Sequence, residues 1–129
     1  MNVVDSSGWL EYFADGPNAR LFAPPLQASS DLVVPTLSLY EAFKRVFEQR
    51  GEDAALTAVA QMQQAGAVVD LTRSIALAAA RLSLELKVPM ADSVMLATAL
   101  EQGALFWTQD ADFQNIPGVK YIPKRPTTR

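Results

Sequence analysis

Apolar positions in this chain fall in short runs, separated by longer stretches in which they recur every three or four residues. Those two periods distinguish strands from helices. Asn2 to Val4 is a short run ending at Asp5; behind it Trp9, Leu10 and Phe13 have helical spacing, with Ser6 or Ser7 as the cap. Turn signals at Asp15-Gly16-Pro17 and at Pro24-Pro25 predict loops. Leu32 to Val34 gives a second, β-branched run closed by Pro35, and Thr36 opens the helix TLSLYEAFKRVFEQR. In that helix Leu39, Phe43, Val46 and Phe47 are expected to share one face, and Gly51 marks its end. Residues 53–64 suit another helix and AVVDL at 67–71 a third strand, after which Thr72 caps a helix with Ile75, Ala79, Leu82 and Leu86 on one side. Beyond Val88-Pro89, MADSVMLATALEQG predicts a helix ending at Gly103, followed by strands at 104–108 and 119–122.

Strands alternating with helices in this way predict an α/β fold, a three-layer α/β/α sandwich around a mainly parallel sheet of four to five strands. The expected organisation is one domain over residues 1–123 and a frayed tail, PKRPTTR, that occupies 124–129 apart from its first proline. Half of the 129 residues are apolar, enough to bury a core in one layered unit. The N-terminus lacks the basic and apolar regions of a signal peptide, and the longest apolar run, IALAAA at 75–80, stops at Arg81. A soluble, cytoplasmic protein without membrane contact is expected.

Composition narrows the chemistry. Eleven basic against fourteen acidic residues leave a formal charge of −3, so no overall positive field draws the protein onto nucleic acid, and any such contact has to be local. The absence of cysteine removes disulfides and thiolate chemistry; the absence of histidine removes the Ser-His-Asp triad, the usual zinc sites and imidazole acid–base catalysis.

What remains is carboxylate. Asp5 follows the first strand, and Asp110, in the stretch TQDADF, follows the fourth. Glu41 lies in the second turn of the helix leaving strand two, and Asp92 in the first turn of the helix leading into strand four. Each has an ordinary structural role open to it. Asp5 can cap its helix, Asp92 can favour the helix dipole, Glu41 can pair with Arg45, and Asp110 with Asp112 can form an Asx-turn. Taken jointly, they fall at the carboxyl-end edge of one predicted sheet, where sites in parallel sheets form. Clustered carboxylates raise one another's pKa values, a cost that a divalent cation removes, and an all-oxygen set favours magnesium or manganese.

VVDSSGWLEYF, PTLSLYEAFKRV, MADSVMLATALEQGALFWTQDADF and the closing GVKYI resemble the successive motifs of the PIN-domain family, in particular VapC-like toxin ribonucleases, over nearly the whole chain. The resemblance implies that Asp5, Glu41, Asp92 and Asp110 hold the metal with Asp112 assisting, and that Ser6 and Thr108 hydrogen-bond in the site. It implies a metal-dependent endoribonuclease (Mg2+ or Mn2+), toxin of a type II toxin–antitoxin pair, acting on single-stranded or structured RNA such as tRNA. A VapB-like antitoxin and a homodimer come with it. Hydrolysis would leave a 5′-phosphate and a 3′-hydroxyl.

Lys44 and Arg45, one turn beyond Glu41, are candidates for backbone phosphates, with pairing to Glu41 and Glu48 as the alternative. Arg73, Lys124, Arg125 and Arg129 rank behind them. Trp9, Tyr12 and Phe13 suit base stacking or, preferably, an interface formed with Phe43 and Phe47 for a second copy or an antitoxin segment. Two other classes compete. A non-catalytic PIN-like module would bind RNA or protein without cleaving it. A phosphoacceptor receiver domain would need an acidic pair after strand one, where only Asp5 stands, besides an Asp after strand three, which Asp70 could supply.

Overall fold

The computed structural model describes residues 1–126. Arg129, and with it half of the expected tail, lies outside them. Among the described residues, five strands are joined by three pairs of α-helices, with no α-helix between the last two strands: β1 (Asn2–Val4), α1 (Ser6–Phe13), α2 (Ala19–Gln27), β2 (Leu32–Pro35), α3 (Thr36–Arg50), α4 (Glu52–Ala65), β3 (Ala67–Val69), α5 (Arg73–Leu86), α6 (Met90–Glu101), β4 (Leu105–Thr108) and β5 (Val119–Tyr121). All strand pairs are parallel, in the order β3-β2-β1-β4-β5. The chain therefore winds outward from β1 through β2 to β3, then returns to the other side of β1 for β4 and β5. The boundary between β1 and β4 is the point where the winding reverses, and loops leaving the carboxyl ends of those strands part to form a crevice.

Alternation along the strands builds the two cores. Val3, Val33 and Phe106 point to one face and pack with Met95, Leu96 and Ala99 of α6 and with Phe113. Val4 and Val34 point to the other face and pack with Trp9, Phe22, Leu26, Ala42 and Met62 from α1 to α4. The central strands are thus buried between helical layers, as their near-continuous apolar residues require, while the edge strands β3 and β5 stay partly exposed. Among the described residues no helix is long and apolar enough to cross a membrane.

Four expectations need correction. Pro24 and Pro25 lie inside α2, not in a loop. Their fixed φ suits a helix, and burial of Phe22, Pro25 and Leu26 outweighs the missing N–H donors in so short an element. Ser6 and Ser7 are the first helical residues of α1, and Asp5 is the cap, its side chain accepting from the Ser6 N–H. On α3 the fully buried line is Ser38 and Ala42; Leu39, Phe43 and Val46 are half-buried and Phe47 is exposed, because α3 packs its small residues inward against neighbouring helices. Trp9 is buried at 2% exposure, with Tyr12 and Phe13 packed half-buried against the same core. Trp9 is consequently not free to stack on bases or to form an interface.

Candidate functional site

Asp5 leaves the end of β1 and is 4% exposed. Both of its oxygens are held. Oδ1 accepts from the Ser6 N–H at 2.8 Å, while Oδ2 accepts from Thr108 Oγ1 at 2.8 Å and Ser7 Oγ at 3.1 Å. Thr108, the last residue of β4, in turn accepts from the Asp110 N–H at 3.0 Å, so one hydroxyl ties the two adjacent strand ends together. Asp110 caps the next turn, its Oδ1 accepting from the Asp112 N–H at 2.9 Å. From the opposite wall Glu41 of α3 accepts a hydrogen bond from Ser6 Oγ at 2.7 Å.

Asp92 completes the wall from the first turn of α6. Asp5, Ser6, Glu41, Arg45, Asp92 and Asp110 all line one pocket of about 420 Å³, together with Ser7, Leu10 and Lys124. The electrostatic consequence falls on the least supported member. Burial first, and then the charges of Asp5, Asp110, Glu41 and Asp112, push Asp92 from an ordinary 3.8 up to about 7. Burial also raises Asp5, with Glu41 adding a small push, against the lowering effect of the hydrogen bonds from Thr108, Ser7 and Ser6.

Asp112 is exposed and is not a lining residue, although its charge reaches Asp92. Lys44 is turned away: its ammonium lies 5.9 Å from the Tyr40 ring centre, beside a separate apolar hollow with Phe43 and Phe47. Arg73 and Arg125 are not among the lining residues either. Asp70 sits exposed after the edge strand β3 and also lies outside the pocket, which removes the phosphoacceptor arrangement. The sequence marked Ser7 only as a possible helix cap, and its bond to Asp5 Oδ2 was not expected; nor was Gln109 expected near the site. The Asp-Ser-Ser order was the signal for Ser7, since a hydroxyl two residues beyond an N-cap can fold back on it.

Among the described residues no three acidic side chains form a ready-made ligand set for a metal ion. The fit of a divalent ion rests on donor chemistry instead. The pocket offers carboxylate oxygens without imidazole or thiolate, and the influences acting on Asp92 all favour its neutral form, a cost that a hard cation would offset.

The PIN domain family model matches residues 3–119. A comparison with curated proteins finds no match. Among solved structures, a toxin–antitoxin complex from Klebsiella pneumoniae is similar at a TM-score of 0.77 and 19% identity, over 93% of this chain and 96% of that one. VapC20 from Mycobacterium tuberculosis, a sarcin-ricin loop cleaving toxin, is similar at 0.73 and 17%, over 98% and 100%. VapBC2 from Rickettsia felis, bound to a DNA fragment from its promoter, gives 0.73 and 12%, over 95% and 97%.

Proposed function

We propose that this chain, which belongs to the PIN domain family, is a metal-dependent endoribonuclease and the toxin of a toxin–antitoxin pair, with a VapB-like antitoxin as its partner and a homodimer as its working form. The observation that carries the reading is the convergence of Asp5, Glu41, Asp92 and Asp110, from four separate elements, on one pocket at the reversal of the sheet. The likeness to solved toxins supports the partner and the RNA substrate as inferences from fold alone.

In this reading Asp5 and Asp92 hold the ion centrally, Glu41 and Asp110 flank it, and Asp112 assists from the rim. Bound magnesium or manganese would supply an activated water and neutralise charge at the scissile phosphate. The chain's own contribution is orientation. Thr108, Ser7 and the Ser6 N–H fix both oxygens of Asp5, and Ser6 Oγ fixes one oxygen of Glu41. Burial and the neighbouring carboxylates raise Asp92 to about 7 in the metal-free chain, and a bound cation would favour its ionised, ligating form. Ser6 and Thr108 thus act on the ligands and not on the RNA.

The test is cleavage of pooled single-stranded and total RNA by wild type and Asp5→Asn, with magnesium, manganese or EDTA. Metal-dependent cleavage that disappears in the variant is expected. Equal cleavage by both proteins would refute the assignment, and an inactive wild type on every RNA would favour the non-catalytic binding module.

A further inference from the structure

The loop between α1 and α2 places Asn18 fully in the interior, where all but one of its polar groups find a partner. Its N–H donates to Glu11 Oε2 at 2.6 Å, and its carbonyl accepts from the N–H groups of Leu21 and Phe22 at 2.9 and 3.3 Å. Its Nδ2 donates to the Pro123 carbonyl at 2.9 Å and to Gln109 Oε1 at 3.1 Å, while Oδ1 has no partner among the described residues. Burying an unanswered acceptor is unfavourable, and an apolar side chain would not incur that cost. The amide therefore matters for its two donors.

Neither donor serves the loop that carries Asn18. One reaches the C-terminal segment beyond β5, and the other reaches the segment that follows β4. A carbonyl can only accept, so Pro123 fixes which way the Asn18 amide faces, and Gln109 has to turn its oxygen towards it. The Gln109 nitrogen is then directed to the Ser7 carbonyl, at 3.5 Å. Gln109 stands between Thr108, which donates to Asp5 Oδ2, and Asp110, which lines the carboxylate pocket. Ser7 Oγ, on the opposite segment, donates to the same oxygen of Asp5. Two linked amides thus run behind both groups that hold that oxygen, although Asn18 itself does not line the pocket.

We propose that Asn18 is a positioning residue for the cation site: through Gln109 it holds the segment of Thr108 and Asp110 against the segment of Asp5 and Ser7. The inference rests on the metal-site reading above. Oxygen ligands converge on one ion only when held to within about 0.5 Å, and the groups behind the ligands set that precision. The Pro123 bond keeps the Asn18 amide from rotating away from Gln109, so the C-terminal segment is the fixed end of the linkage.

The test is manganese titration of full-length, metal-free protein, with urea denaturation of each variant in parallel. Asn18→Ala and Gln109→Met are each expected to weaken uptake about tenfold, and the double variant to bind within about twofold of either single one, because both changes cut the same linkage. Met62→Ala truncates a fully buried side chain of α4; it is expected to lower the urea midpoint yet leave uptake within about twofold of wild type. Gln109 reaches the surface at 8% exposure, so Gln109→Met decides the matter should Asn18→Ala fail to fold. Uptake by Asn18→Ala or Gln109→Met equal to that of wild type, losses that add in the double variant, or an equal loss in Met62→Ala would overturn the positioning role and leave the metal site standing. No uptake by wild type would reject the metal site and this inference with it.

Discussion

Asp92 carries most of the electrostatic tension in the pocket, and its protonation has a calculable sign. Its pKa is about 7 in the folded chain against an ordinary 3.8, so between those values the folded state holds a proton that the unfolded state has released. Stability of the metal-free protein therefore falls as pH rises through this window, and the loss is complete above the folded value. Solvent screening of a half-buried group reduces the full conversion of the shift, so Asp92→Asn is expected to stabilise the EDTA-treated protein by about 1–2 kcal/mol at neutral pH. Urea denaturation at about pH 5 and about pH 8 checks both statements: the wild type loses stability between them, and the variant loses less.

Thr108 is the other residue on which the pocket depends. Replacing it with valine deletes a donor to Asp5 and an acceptor for the Asp110 N–H, and is expected to cost about 1–3 kcal/mol along with most of the activity. Thr108→Ser, which keeps the hydroxyl, should recover both; loss of activity in the serine variant as well would contradict the role given to that hydroxyl. The position of Thr108 at a strand end was legible in the sequence. Its doubled hydrogen bond was not, because it depends on the side-by-side pairing of β1 with β4, which only the sheet order establishes.

At the scale of elements, α1 has to sit close to β1 for Asp5 to be both cap and site residue. Gly8 permits that approach: a Cβ there would stand 2.6 Å from Val4 Cγ1 and 2.8 Å from the Phe22 ring. Gly8→Ala is expected to destabilise by about 1–3 kcal/mol despite its better helix propensity, seen as a lower urea midpoint at unchanged slope. Apolar periodicity was sufficient to place the strands and most of the helices, since each buries a regular face. It missed α2, whose two prolines signal a turn locally while Phe22 and Leu26 hold the helix through long-range packing. Nor did it separate Lys44 from Arg45. Adjacent helical residues point about 100° apart, and the rotation of α3 is set by Ser38 and Ala42, whose small side chains carry little hydrophobic signal.

For the whole molecule, parallel strands in the order β3-β2-β1-β4-β5 bring residues 5, 41, 92 and 110 to one crevice even though they are distributed over most of the sequence. A net charge of −3 then coexists with a local cationic rim, because Arg45 and Lys124 stand beside the four carboxylates of the pocket. The central claim is that these four carboxylates act as one cation site. It is tested most directly by titrating manganese into the metal-free protein and following the free-ion paramagnetic signal for wild type, Asp5→Asn, Glu41→Gln, Asp92→Asn, Asp110→Asn and, as a control, Asp70→Asn. Wild type and the control are expected to take up the ion, more weakly as pH drops below about 7, and each of the other four variants to bind at least about tenfold more weakly. No uptake by wild type, or equal uptake by all six proteins, would contradict the account.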